Sequence, residues 1–378
     1  MQPYVTSIAV ITALSTALYA TNGDELIGLG AKTRGMGGAG IALSHGAESA
    51  LINPALITSV KSSEVSFGGT VMMPSVETDV GTGDGFVKSD ADLSMAPAIA
   101  IAAKAGENLY LGVGMWGTAG MGVDYRGTNL NDNLTSNMQM MQFGLPIAYQ
   151  MGSMSFGITP IIQYGALDIS YDSSTTKGAA QDLALGYNVG AAYTVDALTF
   201  GAVYKAPIEM TYKGQISRMM IDSGATATYS DNLERPEELG LGVAYQAGGH
   251  AVALDYKRIN WSDAAGYRDF GWADQDVYAI GYQYSQSNWA LRAGYNYAKS
   301  PISDQSGKTD GVVINQLNLL AFPAIVESHY TLGGSYAFSK TMSVDASYVY
   351  APEETMSLSG ITTKHSQSNI TAQLTINF

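Results

Sequence analysis

Val277-Tyr278-Ala279-Ile280-Gly281-Tyr282-Gln283-Tyr284-Ser285-Gln286, followed after Ser287 by Asn288-Trp289-Ala290-Leu291-Arg292-Ala293-Gly294-Tyr295-Asn296-Tyr297-Ala298-Lys299, is the stretch that decides the fold. In its first half Tyr278, Ile280, Tyr282 and Tyr284 alternate with Ala279, Gly281, Gln283 and Ser285. In its second half Trp289, Leu291, Ala293, Tyr295 and Tyr297 alternate with Arg292, Gly294 and Asn296. A period of two puts successive side chains on opposite faces of a strand, so one face is apolar and the other small or polar. A soluble sandwich also alternates, but its outward face carries charge. Here the polar face is mostly Gly, Ser, Thr, Asn and Gln, which suits a lumen behind a lipid-facing wall.

The pattern recurs outward from this stretch. Tyr330, Leu332, Gly334, Tyr336 and Phe338 repeat it, as do Met342, Val344, Ala346, Tyr348 and Tyr350, and then Ile370, Ala372, Leu374, Ile376 and the terminal Phe378. Marking every such segment gives 64–73, 92–103, 108–118, 138–150, 154–171, 182–194, 198–213, 237–246, 250–260, 277–286, 288–299, 328–338, 341–350 and 368–378, about fourteen strands and an even number. Tight turns at 104–107, 151–153, 195–197, 247–249, 285–287 and 339–340 are separated by longer connections, as expected of a barrel with short periplasmic turns and long external loops. The expected fold is an all-β transmembrane antiparallel barrel. Trp116, Tyr171, Tyr212, Trp261 and Tyr350, near segment ends, are candidates for its interfacial girdles or for packed positions.

Composition agrees. Of 378 residues 14% are charged, with 43 Gly and 24 Tyr, against roughly 25% charged residues in an average soluble protein. No apolar run approaches the roughly 18 residues of a spanning helix, so any crossing is by strands. Cysteine is absent, which excludes disulfides, thiolate metal sites and cysteine nucleophiles. The four histidines, His45, His250, His329 and His365, stand at no metal-ligand spacing, and no metal or cofactor is expected. The formal charge of −14 argues against nucleic acid or anionic lipid as the main partner.

Three domains are expected. The apolar stretch from Ile8 to Leu18, followed by Ala20 and the polar Thr21-Asn22-Gly23-Asp24, reads as a signal peptide over residues 1–20, although Met1 to Ser7 carries no Lys or Arg. Residues 21–62, rich in Gly and Ala and without alternation, read as a plug or hatch; residues 63–378 form the barrel. Within the plug, Gly35-Met36-Gly37-Gly38-Ala39-Gly40 matches the dinucleotide fingerprint in form, but no strand precedes it. Glycines that let a plug backbone turn against the wall are the simpler reading. Without Cys, with the histidines isolated and with no G-x-S-x-G, a nucleophilic hydrolase has nothing to build on. Carboxylates such as Asp263, Asp269, Asp274, Asp276, Glu353 and Glu354 read as solvated loop charge.

Several blocks resemble the FadL/TodX family of outer-membrane hydrophobic-compound transporters. They are Gly35 to Ala42 with Asn53-Pro54-Ala55, Ala206 to Gly214, Arg235 to Gly242, Asp255-Tyr256 with Asn260 to Asp263, and Leu291 to Tyr295 with Ser300-Pro301-Ile302. Together they extend over nearly all of the mature chain. The resemblance implies a fourteen-stranded barrel of the bacterial outer membrane, plugged by a hatch whose signature is Asn53-Pro54-Ala55. It also implies transport of a fatty acid or hydrocarbon, caught near external loops and released sideways through a kink in the third strand. Gly112 and Gly114 are the candidates for that kink, or are ordinary lumen glycines. The sequence departs from the family at Trp116 to Gly122, where a proline-bearing loop start is expected, and at His45 to Glu48.

Long-chain fatty acids are the expected cargo, with outer-membrane lipid and lipopolysaccharide as surroundings and a monomer as the working unit. The alternatives are a structural or adhesive barrel and a general porin. An apolar path spares such a molecule the cost of about 0.8 kcal/mol per CH₂ in water. Met138 to Met141, Met219 to Ile221 and Leu317 to Val326, including Phe322, are too apolar for ordinary loops and read as capture surface or as mutual packing over the mouth. Alternation turns Lys205, Lys257 and Arg292 inward with Asp255 and Asp345. These form a structural ion network, or supply the cationic partner of a fatty-acid carboxylate, for which the planar fork of Arg292 is the best suited.

Overall fold

The computed structural model describes residues 22–378 except 129, 131, 132 and 174–177. The expected signal peptide therefore lies outside the described residues. Alternating apolar residues build fourteen antiparallel staves: β1 Ser63–Asp79, β2 Ser94–Lys104, β3 Leu109–Asp124, β4 in two pieces (Thr135–Gly144 and Ile147–Met151), β5 Met154–Ser170, β6 Ala180–Val195, β7 Leu198–Lys205, β8 Glu238–Ala247, β9 His250–Ile259, β10 Gln275–Gln286, β11 Trp289–Ala298, β12 Ser328–Ala337, β13 Met342–Leu358 and β14 Ile361–Asn377. Each pairs with its neighbours, and β14 closes on β1 from Glu64 opposite Asn377 to Asp79 opposite Thr362. Closure leaves no unpaired edge, the condition for strands to cross a bilayer. No described helix is long and apolar enough to do so.

Alternation selects the faces as expected. Leu183, Leu185, Phe67, Leu241, Leu332 and Tyr330 point outward and are exposed, whereas Asn188, Asp255, Arg292, Asn296 and Gln373 face the lumen and are buried. Tyr350 belongs to the exposed aromatic set; Trp116, Tyr212 and Trp261 do not, being buried. A ring near a segment end reads the same in sequence whether it faces lipid or lumen.

The outer ends of the staves run further than their alternation indicates. β1 continues to Asp79, β13 to Leu358 and β14 begins at Ile361. These extensions carry Ser, Thr, Glu and Lys on both faces, so the ladder persists above the lipid where the apolar face is no longer required. Glu353 and Glu354 thus lie on a strand, not a loop. Conversely, the expected stave 198–213 ends at Lys205, and Ile208–Thr211 leaves the wall to pair with Asn232–Arg235. Between those two short strands runs α2 (Ile216–Asp222); α3 (Gly311–Leu320) lies in the connection between β11 and β12.

Residues 22–62 carry no barrel strand and bond to staves around the circumference. Gly40 and Ile41 donate to Asp255 on β9, Gly37 donates to Thr331 on β12, Glu48 accepts from Gln373 on β14, and Thr159 on β5 donates to Ala50. A segment touching so many staves lies inside them. Its helix α1 (Ala31–Gly35) ends in the glycine run. Gly37 and Gly38 adopt φ of 68° and 86°, and a side chain at 38 would overlap the Ile27 carbonyl oxygen. The run is a tight turn against the wall, and among the described residues no named strand precedes it.

Candidate functional site

Two cavities occupy the lumen, one above the other. The outer is a cup lined by Met121, Met138, Leu167, Ile216, Leu233, Tyr267, Phe270, Trp272, Leu317 and Phe322, with Asn318 its one amide. It is narrow, and a guest enters by moving the flexible thioethers aside. The expected capture residues divide among three elements. Met138 and Met140 are not in a loop but face inward from β4, Met219 and Met220 lie on α2, and Leu317 to Leu320 lie on α3 with Phe322 just beyond. Both helices thus roof the cup. Trp261, Tyr267 and Trp272 form an aromatic cluster with ring centroids 4.6 to 5.0 Å apart.

Against the aromatic cluster lies the strap Asn22 to Leu26. Leu26 donates to Thr118 and Gly120 donates to Asp24, so the strap is hydrogen bonded to β3. Gly23 lies against the rings of Trp261 and Trp272. Asp24 accepts a hydrogen bond from the Tyr267 hydroxyl. Burial raises its carboxyl to about 7, outweighing that bond and the pull of Arg235.

Below the strap a second cavity is lined by Glu25, Leu26, Ile27, Leu51, Gln142 and Asn188 together with Lys205, Arg235, Glu238 and Lys257. Arg235 lies 2.9 Å from Glu25; Lys205 and Lys257 lie 2.9 and 3.8 Å from the two oxygens of Glu238. Three cations thus face two carboxylates. Lys205 and Lys257 share this chamber, while Phe322 belongs to the cup and Arg292 to neither. Arg292 donates to Gln283 and to Ser335, each at 2.6 Å, and Ser335 in turn donates to Asp345. Arg235, Glu238 and Glu25 escaped the sequence reading because Arg235 and Glu238 flank Pro236-Glu237 outside any clean alternation, and Glu25 precedes the first strand.

Asn53 caps the 3₁₀ turn Pro54–Ser59 by accepting from the Ala55 amide, and donates to Ile41 and to Ala191 on β6. Pro54 opens that turn, with Ala55 buried behind it. The wall is irregular between β3 and β4. The register shifts between Gly117 and Ala119, and β4 breaks at Leu145-Pro146, opposite Gly112 and Val113. Gly112 and Gly114 themselves pair regularly with Ala102 and Ala100. The ring of Trp116 folds back over Gly114, where any side chain would overlap it.

A family model described as outer membrane protein transport protein (OMPP1/FadL/TodX) matches residues 13–377. The chain belongs to this family. Among solved structures, it is similar to the toluene transporter TodX of Pseudomonas putida, with 20% identity over 95% of this chain and 100% of that one and a TM-score of 0.71. It is similar also to the toluene transporter TbuX of Ralstonia pickettii (17%, 93% and 99%, TM-score 0.68) and to a FadL homologue of Pseudomonas aeruginosa (13%, 96% and 100%, TM-score 0.70). At these identities the likeness is one of fold. No curated protein matches in sequence. As a member of the FadL/TodX family the protein is an outer-membrane channel for hydrophobic compounds, and such channels are not enzymes.

Proposed function

We propose that the cargo is a long-chain fatty acid, caught in the outer cup and passed head first toward the cationic chamber. The observation that carries this reading is the stacking of an almost wholly apolar cavity on one where Lys205, Lys257 and Arg235 outnumber Glu25 and Glu238. A fatty acid matches both: its tail gains from leaving water, and its carboxylate takes charge-assisted hydrogen bonds. Asn22 to Leu26 separates the two compartments, so residues 22–62 act as the hatch. Release is sideways, near the register shift after Gly117 on β3 and the break of β4 at Leu145-Pro146. A monomer suffices for this route.

Oleate and toluene binding to the purified protein test the reading. Lys257→Met is expected to weaken oleate binding about tenfold, the worth of one charge-assisted contact of roughly 1.4 kcal/mol, and to leave toluene unchanged. Toluene binding without oleate binding would instead favour a monoaromatic cargo, the class named for the P. putida and R. pickettii transporters. The narrow cup walled by Tyr267, Phe270, Trp272 and Phe322 supports that second reading.

A further inference from the structure

Among the described residues, the lumenal cations discussed above have a carboxylate within reach. Lys205 and Lys257 share Glu238, Arg235 holds Glu25, and Arg292 reaches Asp345 through Ser335. Lys32 lies 3.9 Å from the same Asp345. Arg34 differs. It is fully buried on α1 and forms no ion pair among the described residues. Nη1 donates to the Gly28 carbonyl at 3.1 Å, and Nη2 lies 2.9 Å from the side-chain oxygen of Asn369 once that amide is turned to face it. Nε has no partner. Burial alone acts on the guanidinium, lowering it to about 10 with no carboxylate opposing the shift. It therefore remains charged at neutral pH, and a buried charge is ordinarily paired.

The wall beside it is neutral or basic. His329 on β12 is fully buried two residues before Thr331, which bonds Gly35 and Gly37 at the end of α1, and neither of its ring nitrogens has a partner among the described residues. A neutral imidazole carries one N–H, so an unpaired donor is present in either tautomer. His365, on β14, is engaged by the Pro323 carbonyl. Asn296 stands opposite His329 in register, gives its amide to the Gly37 carbonyl and leaves its oxygen unpaired.

We propose that Arg34 and His329 hold a small monovalent anion of the halide class between α1 and the wall formed by β11 to β14. Enclosure decides the class: Arg34 and His329 are both fully buried, so only a small guest fits beside them. Nη1 and Nη2 each give one N–H to Gly28 and Asn369, which leaves Nε–H, the second N–H of each Nη and one imidazole N–H as donors. A monatomic acceptor makes no demand on their geometry. The anion supplies the missing counter-charge and fastens α1 to the wall beside the bonds that Thr331 makes with Gly35 and Gly37.

Two measurements on the full wild-type protein test this. In crystals grown in bromide, anomalous scattering is expected to show a bromide within hydrogen-bonding distance of Arg34 Nε and a ring nitrogen of His329. In solution, the temperature at which the barrel loses its folded migration on gels is expected to be several degrees higher in chloride than in gluconate at equal ionic strength, because a ligand of the folded state alone stabilises it. His329→Phe is expected to fold and to lose that difference; Arg34→Met serves as a second variant and is expected to lose it too. Water in place of bromide at Arg34, or equal migration temperatures in the two salts for the wild type, overturns the proposal.

Discussion

The outer and inner halves of the lumen are filled in opposite ways. Outside the strap, Met121, Met138, Ile216, Leu317 and Phe322 meet through dispersion and hydrophobic contact, and one can move without leaving a partner unsatisfied. Inside it, Glu48, Asp255, Arg235, Glu238 and Arg292 are held by directional bonds, some among the barrel residues and some between them and residues 22–62. The difference teaches where a channel can yield. An apolar cup deforms around a guest, whereas a buried polar network is either satisfied or costly.

The sharpest test of that contrast is Glu238→Ala. It strands Lys205 and Lys257 together in a buried chamber, and breaking such a network by removing one partner costs about 3–5 kcal/mol. Urea unfolding in detergent should show a loss of that size. Met138→Leu in the cup keeps volume and breaks no bond, so it should cost less than about 1.5 kcal/mol. Equal losses would mean that the two halves are not distinct in kind.

Asp24 sits on the boundary and should make it sensitive to pH. Its carboxyl is raised from 3.8 to about 7 by burial. Between those values the docked strap holds a proton that the released strap gives up, so docking is strongest near pH 4, weakens as pH rises toward 7 and levels off above it. Hydrogen exchange at Leu26 and Gly120, corrected for intrinsic rates, should therefore show less protection at pH 8 than at pH 5. Asp24→Asn should remove the difference. A flat wild-type profile would show that the strap is held by β3 and the tryptophans alone.

Asn53→Ala tests the inner half more gently. It removes a cap and the bonds to Ile41 and Ala191, worth about 1–2 kcal/mol. Uptake should slow while the barrel still assembles. Loss of folded migration on gels would assign Asn53 to assembly instead.

These regions were unequally legible in the sequence. The staves announced themselves because lipid on one side and lumen on the other force a period of two, and the run from Val277 to Lys299 carries it without a fault. The same logic turned Lys205, Lys257, Asp255, Arg292 and Asp345 inward. Alternation assigns a face but not a height or a neighbour, so nothing in it could separate Arg292 from the lysine pair or bring Arg235 to Glu25. Excursions carry no period at all; that α2 and α3 fold back over the cup follows from contacts made across the mouth. Trp116 faces inward because β3 alternates from Leu109 to Trp116, ahead of the register shift after Gly117.

The smallest expected effect concerns Arg292, and it decides whether the inner half on that side binds cargo or only fills space. Its guanidinium already donates to Gln283 and Ser335, and Ser335 passes the charge on to Asp345. A carboxylate arriving there would have to displace satisfied partners, whereas Lys205, Lys257 and Arg235 line open space with one positive charge in excess. Arg292→Met keeps much of the volume and removes the charge. The network reading expects oleate and toluene binding to change by the same factor, less than about twofold, because the variant disturbs packing of residues 22–62 without touching a ligand contact. Selective loss of oleate binding, with toluene spared and the barrel folded, would move the carboxylate site from the lysine chamber to Arg292 and end the distinction between a binding side and a structural side of the inner lumen.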